Sequence, residues 1–199
     1  MNLRFYFVVA FVCVIAFSAA IWLAYCAGYG SGTFVGAETV GWLLGFLGTT
    51  FHIFLSKRKK CEKFTGFVFF IVLMMILQYG CFNLLLQAYT RGFEKAVFRA
   101  GSPAKWDSLV QVAQKWISGS SKANDFSELL PPFVQNVYPR KMPYSGVSGD
   151  DIHHISVSVF WRDPTLSTGL IIGAEGHFYK ELYRKRIGND MSIVIFQGR

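Results

Sequence analysis

Apolar positions crowd the first ninety residues of this chain and thin out after Tyr89, so the two halves follow different patterns. Residues 5–27, FYFVVAFVCVIAFSAAIWLAYCA, are 23 consecutive uncharged residues. At about 1.5 Å of rise per residue, a helix of that length crosses a hydrocarbon core about 30 Å thick. A cleaved signal peptide has a shorter apolar core, about 7 to 15 residues. A lipoprotein signal would need a small residue before Cys26, where Tyr25 stands. The segment is therefore expected to be retained as a first transmembrane helix.

Residues 37–55, AETVGWLLGFLGTTFHIFL, supply a second span, less apolar but bounded by a glycine-rich loop and a run of basic residues. Residues 64–88 supply the third: 25 positions without a charge, longer than a perpendicular crossing needs, which implies tilt or a protruding end. Residues 91–100 are expected to continue this third helix, because Phe93, Ala96, Val97 and Ala100 keep helical spacing before Gly101 ends it. Domain 1–90 is thus read as a three-helix transmembrane domain.

Beyond it, 91–199 is a mixed polar chain of 109 residues, enough for one small core. Ser102 and Pro103 open an amphipathic helix carrying Trp106, Leu109, Val110, Ala113, Trp116 and Ile117 on one face, closed by Gly119. Pro131 and Pro132 break the segment 126–137 into short helices, and 141–149, rich in Gly, Ser and Pro, reads as a loop. From Ile155 the period becomes two, with Val157, Val159 and Trp161 alternating with Ser156, Ser158 and Phe160, the mark of a half-buried strand. Residues 162–168 read as a turn, 169–174 and 192–196 as strands, and 177–186 as a short helix. The expected fold class is an α-helical membrane protein: three transmembrane helices followed by a small extramembrane α+β domain with a mostly antiparallel sheet.

Charge sets the expected orientation. The loop 56–63 holds five Lys/Arg, including Lys57, Arg58, Lys59 and Lys60, while 28–36 holds none. Short basic loops stay cytoplasmic, so the N-terminus and the KRKK loop are expected inside and the C-terminal domain outside, in the periplasm of a bacterial inner membrane. Trp22, Tyr25, Tyr29 and Trp42 would then gather at the outer interface, where amphipathic rings prefer to sit.

Composition agrees: hydrophobic residues make up 52% of 199 and charged residues 16%. With a mean hydropathy of +0.34, that excludes a disordered tail, a fibre and an ordinary water-soluble domain. The formal charge of +8 does not point to nucleic acid, because the basic residues are divided between two sides of a bilayer.

Three sets of residues are candidates for function. Gly41, Gly45 and Gly48 strip one helix face of side chains, so that another backbone approaches closely, either in a second copy or within the same three-helix unit. Gln78, Asn83 and Gln87 fall roughly on one side of the third span, as interhelical hydrogen bonds or the lining of a narrow wet path. Asp151, His153 and His177 are the residues whose types suit a divalent metal, set against solvated loop carboxylates and surface histidines. The four cysteines, Cys13, Cys26, Cys61 and Cys81, show no metal-site spacing, and neither a phosphate-binding glycine loop nor a nucleophile elbow occurs.

No cofactor is implied. The expectation is a non-enzymatic membrane subunit that oligomerises through its helices. Its outer domain, or its basic cytoplasmic loop, binds a protein or envelope ligand, as in a sensor, a defence-complex subunit or an immunity-type protein. A pore or channel, and a metal-dependent envelope enzyme, are the alternatives.

Overall fold

A computed structural model describes residues 3–31, 33–57, 59–119, 125–139, 141–148, 155–162, 166–173, 181–188 and 190–197. The chain divides into two compact units, Met1–Gly92 and Phe93–Arg199.

The first unit is helical. Helices α1 (Leu3–Gly28), α2 (Phe34–Leu55) and α3 (Lys60–Gly80) are each long and apolar enough to cross a membrane. Thr33 caps α2, its hydroxyl oxygen accepting from the Gly36 amide. Buried Ala16, Ala20, Ala24 and Ala27 give α1 a stripe of small side chains at helical spacing. A core of Val9, Cys13, Phe70 and Met74 joins α1 to α3.

The third apolar run is not one helix. It begins earlier than its uncharged stretch, at Lys60, and stops at Gly80; α4 (Phe82–Ala100) starts after a turn at Cys81. Glycine costs about 1 kcal/mol relative to alanine in a helix interior, so Gly80 weakens the ladder where it breaks. At Cys81 the amide still donates to Leu77 O, and the carbonyl accepts from Leu84 N in the tighter pattern of a turn. An expected continuous helix over 64–100 is therefore two helices.

In the second unit, α4 ends at Gly101 as its sequence predicts. α5 (Pro103–Ile117) follows, with proline in its first turn, and closes at Gly119, whose φ of +72° suits a residue without a Cβ. A short 3-10 turn at Phe126–Leu129 and the four-residue α6 (Pro132–Gln135) lead to a five-stranded sheet. Its strands are β1 (Pro143–Ser148), β2 (Ser156–Arg162), β3 (Leu166–Gly173), β4 (Glu181–Arg186) and β5 (Met191–Gln197), in the order β1-β2-β3-β5-β4, every pairing antiparallel.

Three local expectations are corrected here. The segment 143–148 is an edge strand rather than a loop. Its proline stands first, where a missing N–H costs no ladder bond, and Ser148 pairs with Ser156 through hydroxyls 2.7 Å apart. Residues 166–168, expected in a turn, already belong to β3. Residues 181–186, expected in a helix, form the other edge strand. Arg184, Lys185 and Arg186 there suit an edge, where charge discourages further pairing.

Nor is β2 half-buried. Ser156 and Ser158 are each 4% exposed, as enclosed as the valines they alternate with. The face carrying Val157, Val159, Trp161, Leu170, Ile172, Ile193 and Ile195 is the more apolar one, and α5 packs across β2 and β3. Gly173 closes β3 with φ +100°; a Cβ there would lie 2.2 Å from Ile155 O.

Candidate functional site

Polar groups converge at one place in the helical unit. Glu38 and Trp42 stand four residues apart on α2, hence on one face, and meet Gln78 of α3. Trp42 Nε1 donates to Gln78 Oε1, and the Gln78 side chain is also hydrogen-bonded to the Glu38 carboxyl. Around them Phe17, Ala20, Gly41, Met74 and Leu85 line a half-open cavity of about 10 Å³. That is close to the smallest space that holds one water.

The glycines expected to form a seam are beside it, and the seam is filled from within the same chain. A Cβ on Gly41 would lie 2.7 Å from Ala20 Cβ, one on Gly45 3.1 Å from Phe70 and 3.4 Å from Ala16 Cβ, and one on Gly48 2.8 Å from Val12. Of the two occupants the spacing allows, α1 holds the position against Gly41 and Gly48, with α3 joining at Gly45. The complementary alanine stripe on α1 is a signal of the same small-residue kind, passed over within a uniformly apolar run.

The three amides do not act together. Gln78 is partly buried and committed to α2, whereas Asn83 and Gln87 are exposed on α4, beyond the break at Cys81. The shared face drawn from a single helix does not survive that break.

Lys57, Lys59 and Lys60 are exposed around the start of α3; Arg58 lies outside the described residues. Phe5 stacks on the His52 ring with centroids 5.3 Å apart, and a Cβ on Gly66 would meet the Phe5 ring at 2.5 Å. These contacts bring Arg4, the end of α2 and the basic start of α3 to one end of the unit. Lys63 Nζ reaches Phe54 O at 3.5 Å there. The Nε2 of His52 is enclosed and finds no hydrogen-bond partner among the described residues.

The second unit carries a cleft of about 560 Å³ between α5 and the ends of β2 and β3. Val110, Ile155 and Ile172 give it an apolar floor, and Asp107, Gln111, Gln114 and Asp190 line it with polar groups. Its volume lies in the range of small-ligand sites. The polar positions of α5 at 107, 111 and 114 follow helical spacing, a signal that a search for catalytic motifs does not register. Asp151, His153 and His177 lie outside the described residues, and among those described no group of three His, Cys, Asp or Glu is placed to hold a metal.

What the fold defines is a class by architecture: three apolar, membrane-length helices followed by an antiparallel five-stranded sheet. No protein-family model matches the chain, and neither does any curated protein or solved structure.

Proposed function

We propose that this chain is a non-enzymatic integral membrane subunit, anchored by α1, α2 and α3, which oligomerises through its helical unit and uses its C-terminal α+β unit to bind a protein or envelope ligand outside the cytoplasm. The observation that carries the membrane reading is the outer surface of the helices. Phe7, Phe11, Leu43, Leu47, Phe51, Phe54 and Ile76 are all exposed, a density of large apolar groups that water does not tolerate and hydrocarbon does.

The cationic end, with Arg4, Lys57, Lys59 and Lys60, supports a cytoplasmic placement of the N-terminus and of the 56–60 loop. With three crossings the sheet unit then lies on the opposite side. The same basic end suits anionic lipid or an acidic partner, at about 1 kcal/mol per residue close to a charged surface. The cleft beneath α5 is the place where a ligand of the outer unit would bind.

Sidedness is tested by labelling single cysteines in intact cells, after the four native cysteines are replaced. Lys57→Cys is expected to resist a membrane-impermeant maleimide and Glu128→Cys to react. The reverse pattern, or equal labelling of both, would overturn the assignment. Ligand binding is tested in the same background by Val110→Trp, which fills the cleft floor. Loss of capture of the native partner with an unchanged melting temperature is the expected result.

A further inference from the structure

Among the described side chains that line the cavity between α1, α2 and α3, one titrates. α1 contributes Phe17 and Ala20, α3 Met74 and Gln78, and α4 Leu85; among the described residues the only carboxyl lining it is that of Glu38. Glu38 is half-buried near the start of α2, where apolar side chains line the space beside its carboxyl; a carboxyl so placed calls for a polar partner.

The direction of the hydrogen bonds is set by chemistry. An indole N–H is a donor only, so Gln78 must turn its oxygen to Trp42. That leaves the NH₂ of Gln78, a donor only, for the Glu38 carboxyl to which this side chain is bonded. The relay therefore runs one way, from Trp42 through Gln78 to Glu38, and ends on an acceptor. A carboxylate accepts that bond with charge assistance, and so more strongly than a neutral carboxyl, whose carbonyl oxygen alone remains to accept it.

Position gives this consequence. Gln78 lies in the last turn of α3, two residues before Gly80 and just ahead of the break at Cys81. Its amide joins that turn to α2 where the backbone ladder is about to end. Glu38 lies near the N-terminus of α2, which in the topology proposed above opens on the extracytoplasmic side.

We propose that Glu38 is a proton-binding site, and that its charge, read through Gln78 and Trp42, holds the end of α3 against α2. When the carboxylate takes up a proton, the Gln78–Glu38 bond loses its charge assistance and weakens, and the helix pair loosens. The sidedness of this response rests on the membrane reading; the relay itself does not.

The test uses the full chain labelled with ¹⁵N-tryptophan in detergent micelles, where each indole N–H gives its own signal and Trp42→Phe identifies the one concerned. Between about pH 4 and 9, the range spanned by free and buried carboxyls, the Trp42 signal is expected to shift in a single titration. In Glu38→Gln, which retains an acceptor but cannot ionise, that titration is expected to vanish. Gln78→Leu, which leaves Glu38 intact and cuts the relay, is expected to abolish it too. The signals of Trp22, Trp106, Trp116 and Trp161 report whether each variant folds. A Trp42 signal constant across the range in the wild-type chain, or one that still titrates in Glu38→Gln or Gln78→Leu, overturns the proposal. Micelles have no sides, so this result and the cysteine labelling can fail independently.

Discussion

Gly92 of α4 lies directly against the backbone of Tyr25 in α1: a Cβ at Gly92 would fall 2.0 Å from Tyr25 O and 2.9 Å from the Tyr29 amide nitrogen. Backbone cannot yield as a flexible side chain can, so this contact admits no residue but glycine. It fixes the middle of α4 against the end of α1 within the helical unit.

Gly92→Ala is accordingly expected to cost about 3 kcal/mol, the upper end of overpacking penalties. Gly80→Ala is its control, since a Cβ there meets nothing within 4 Å. That variant should be neutral or gain up to about 1 kcal/mol of helix propensity. Thermal melts of the two variants in micelles check the pair, and equal melting temperatures would contradict the contact.

The glycine stripe of α2 gives a second expectation. Gly41→Leu drives a side chain into Ala20, 2.7 Å from the first added carbon. It should lower stability by about 1 to 3 kcal/mol while leaving the mass of the assembly in native mass spectrometry unchanged. A smaller assembly with an unchanged melting temperature would instead seat a second copy on the stripe.

Trp106 is fully buried and donates from Nε1 to both Val97 O and Gly101 O at 3.2 Å, with its ring 4.9 Å from that of Phe133. It ties the end of α4 to the start of α5. Trp106→Phe keeps an aromatic ring but leaves Gly101 O without this donor, at a cost of about 1 to 3 kcal/mol. Trp106→Ala also opens a cavity and should cost about 3 to 5 kcal/mol. Chemical denaturation followed by circular dichroism should rank them in that order.

Asp125 caps the 3-10 turn, its Oδ1 accepting from the Ser127 amide at 2.9 Å and the Ser127 hydroxyl at 2.6 Å. Both donors favour the charged form and hold the carboxyl below its ordinary range. A depressed folded-state value means the stabilisation is present above the unfolded value, about 3.9, and lost as the pH falls through the folded one. Stability at this turn should therefore be flat from neutrality down to about pH 4 and decline only below it. The Asp125 carboxyl signal of the wild-type chain reads the lowered titration directly, and Asp125→Asn should flatten the acid limb in melts from pH 7 to about pH 2.

The membrane-length helices were legible from the chain because transfer of apolar side chains into hydrocarbon adds up residue by residue, and a run of 23 uncharged positions exceeds any local preference. Capping and stopping at Pro103, Gly101 and Gly119 were legible for a similar reason, since these residues act through their own backbone. β2 announced itself through branched residues at period two, and β3 and β5 through short runs of consecutive branched residues.

Tertiary structure decided the rest. Strand β1, PYSGVS, holds two serines, a glycine and a proline beside Tyr144 and Val147 and has little preference of its own; it exists because β2 offers it a ladder, Pro143 opposite Trp161 through to Ser148 opposite Ser156. The charged segment 181–186 became β4 because β5 needed an edge partner that resists further pairing. Likewise, Gln78 parted from Asn83 and Gln87 because α3 ends at Gly80, and its partners Trp42 and Glu38, more than thirty residues away, come from another helix. Periodicity records what one element prefers, whereas an edge, a helix break or a buried amide is settled by which neighbour supplies the missing bond.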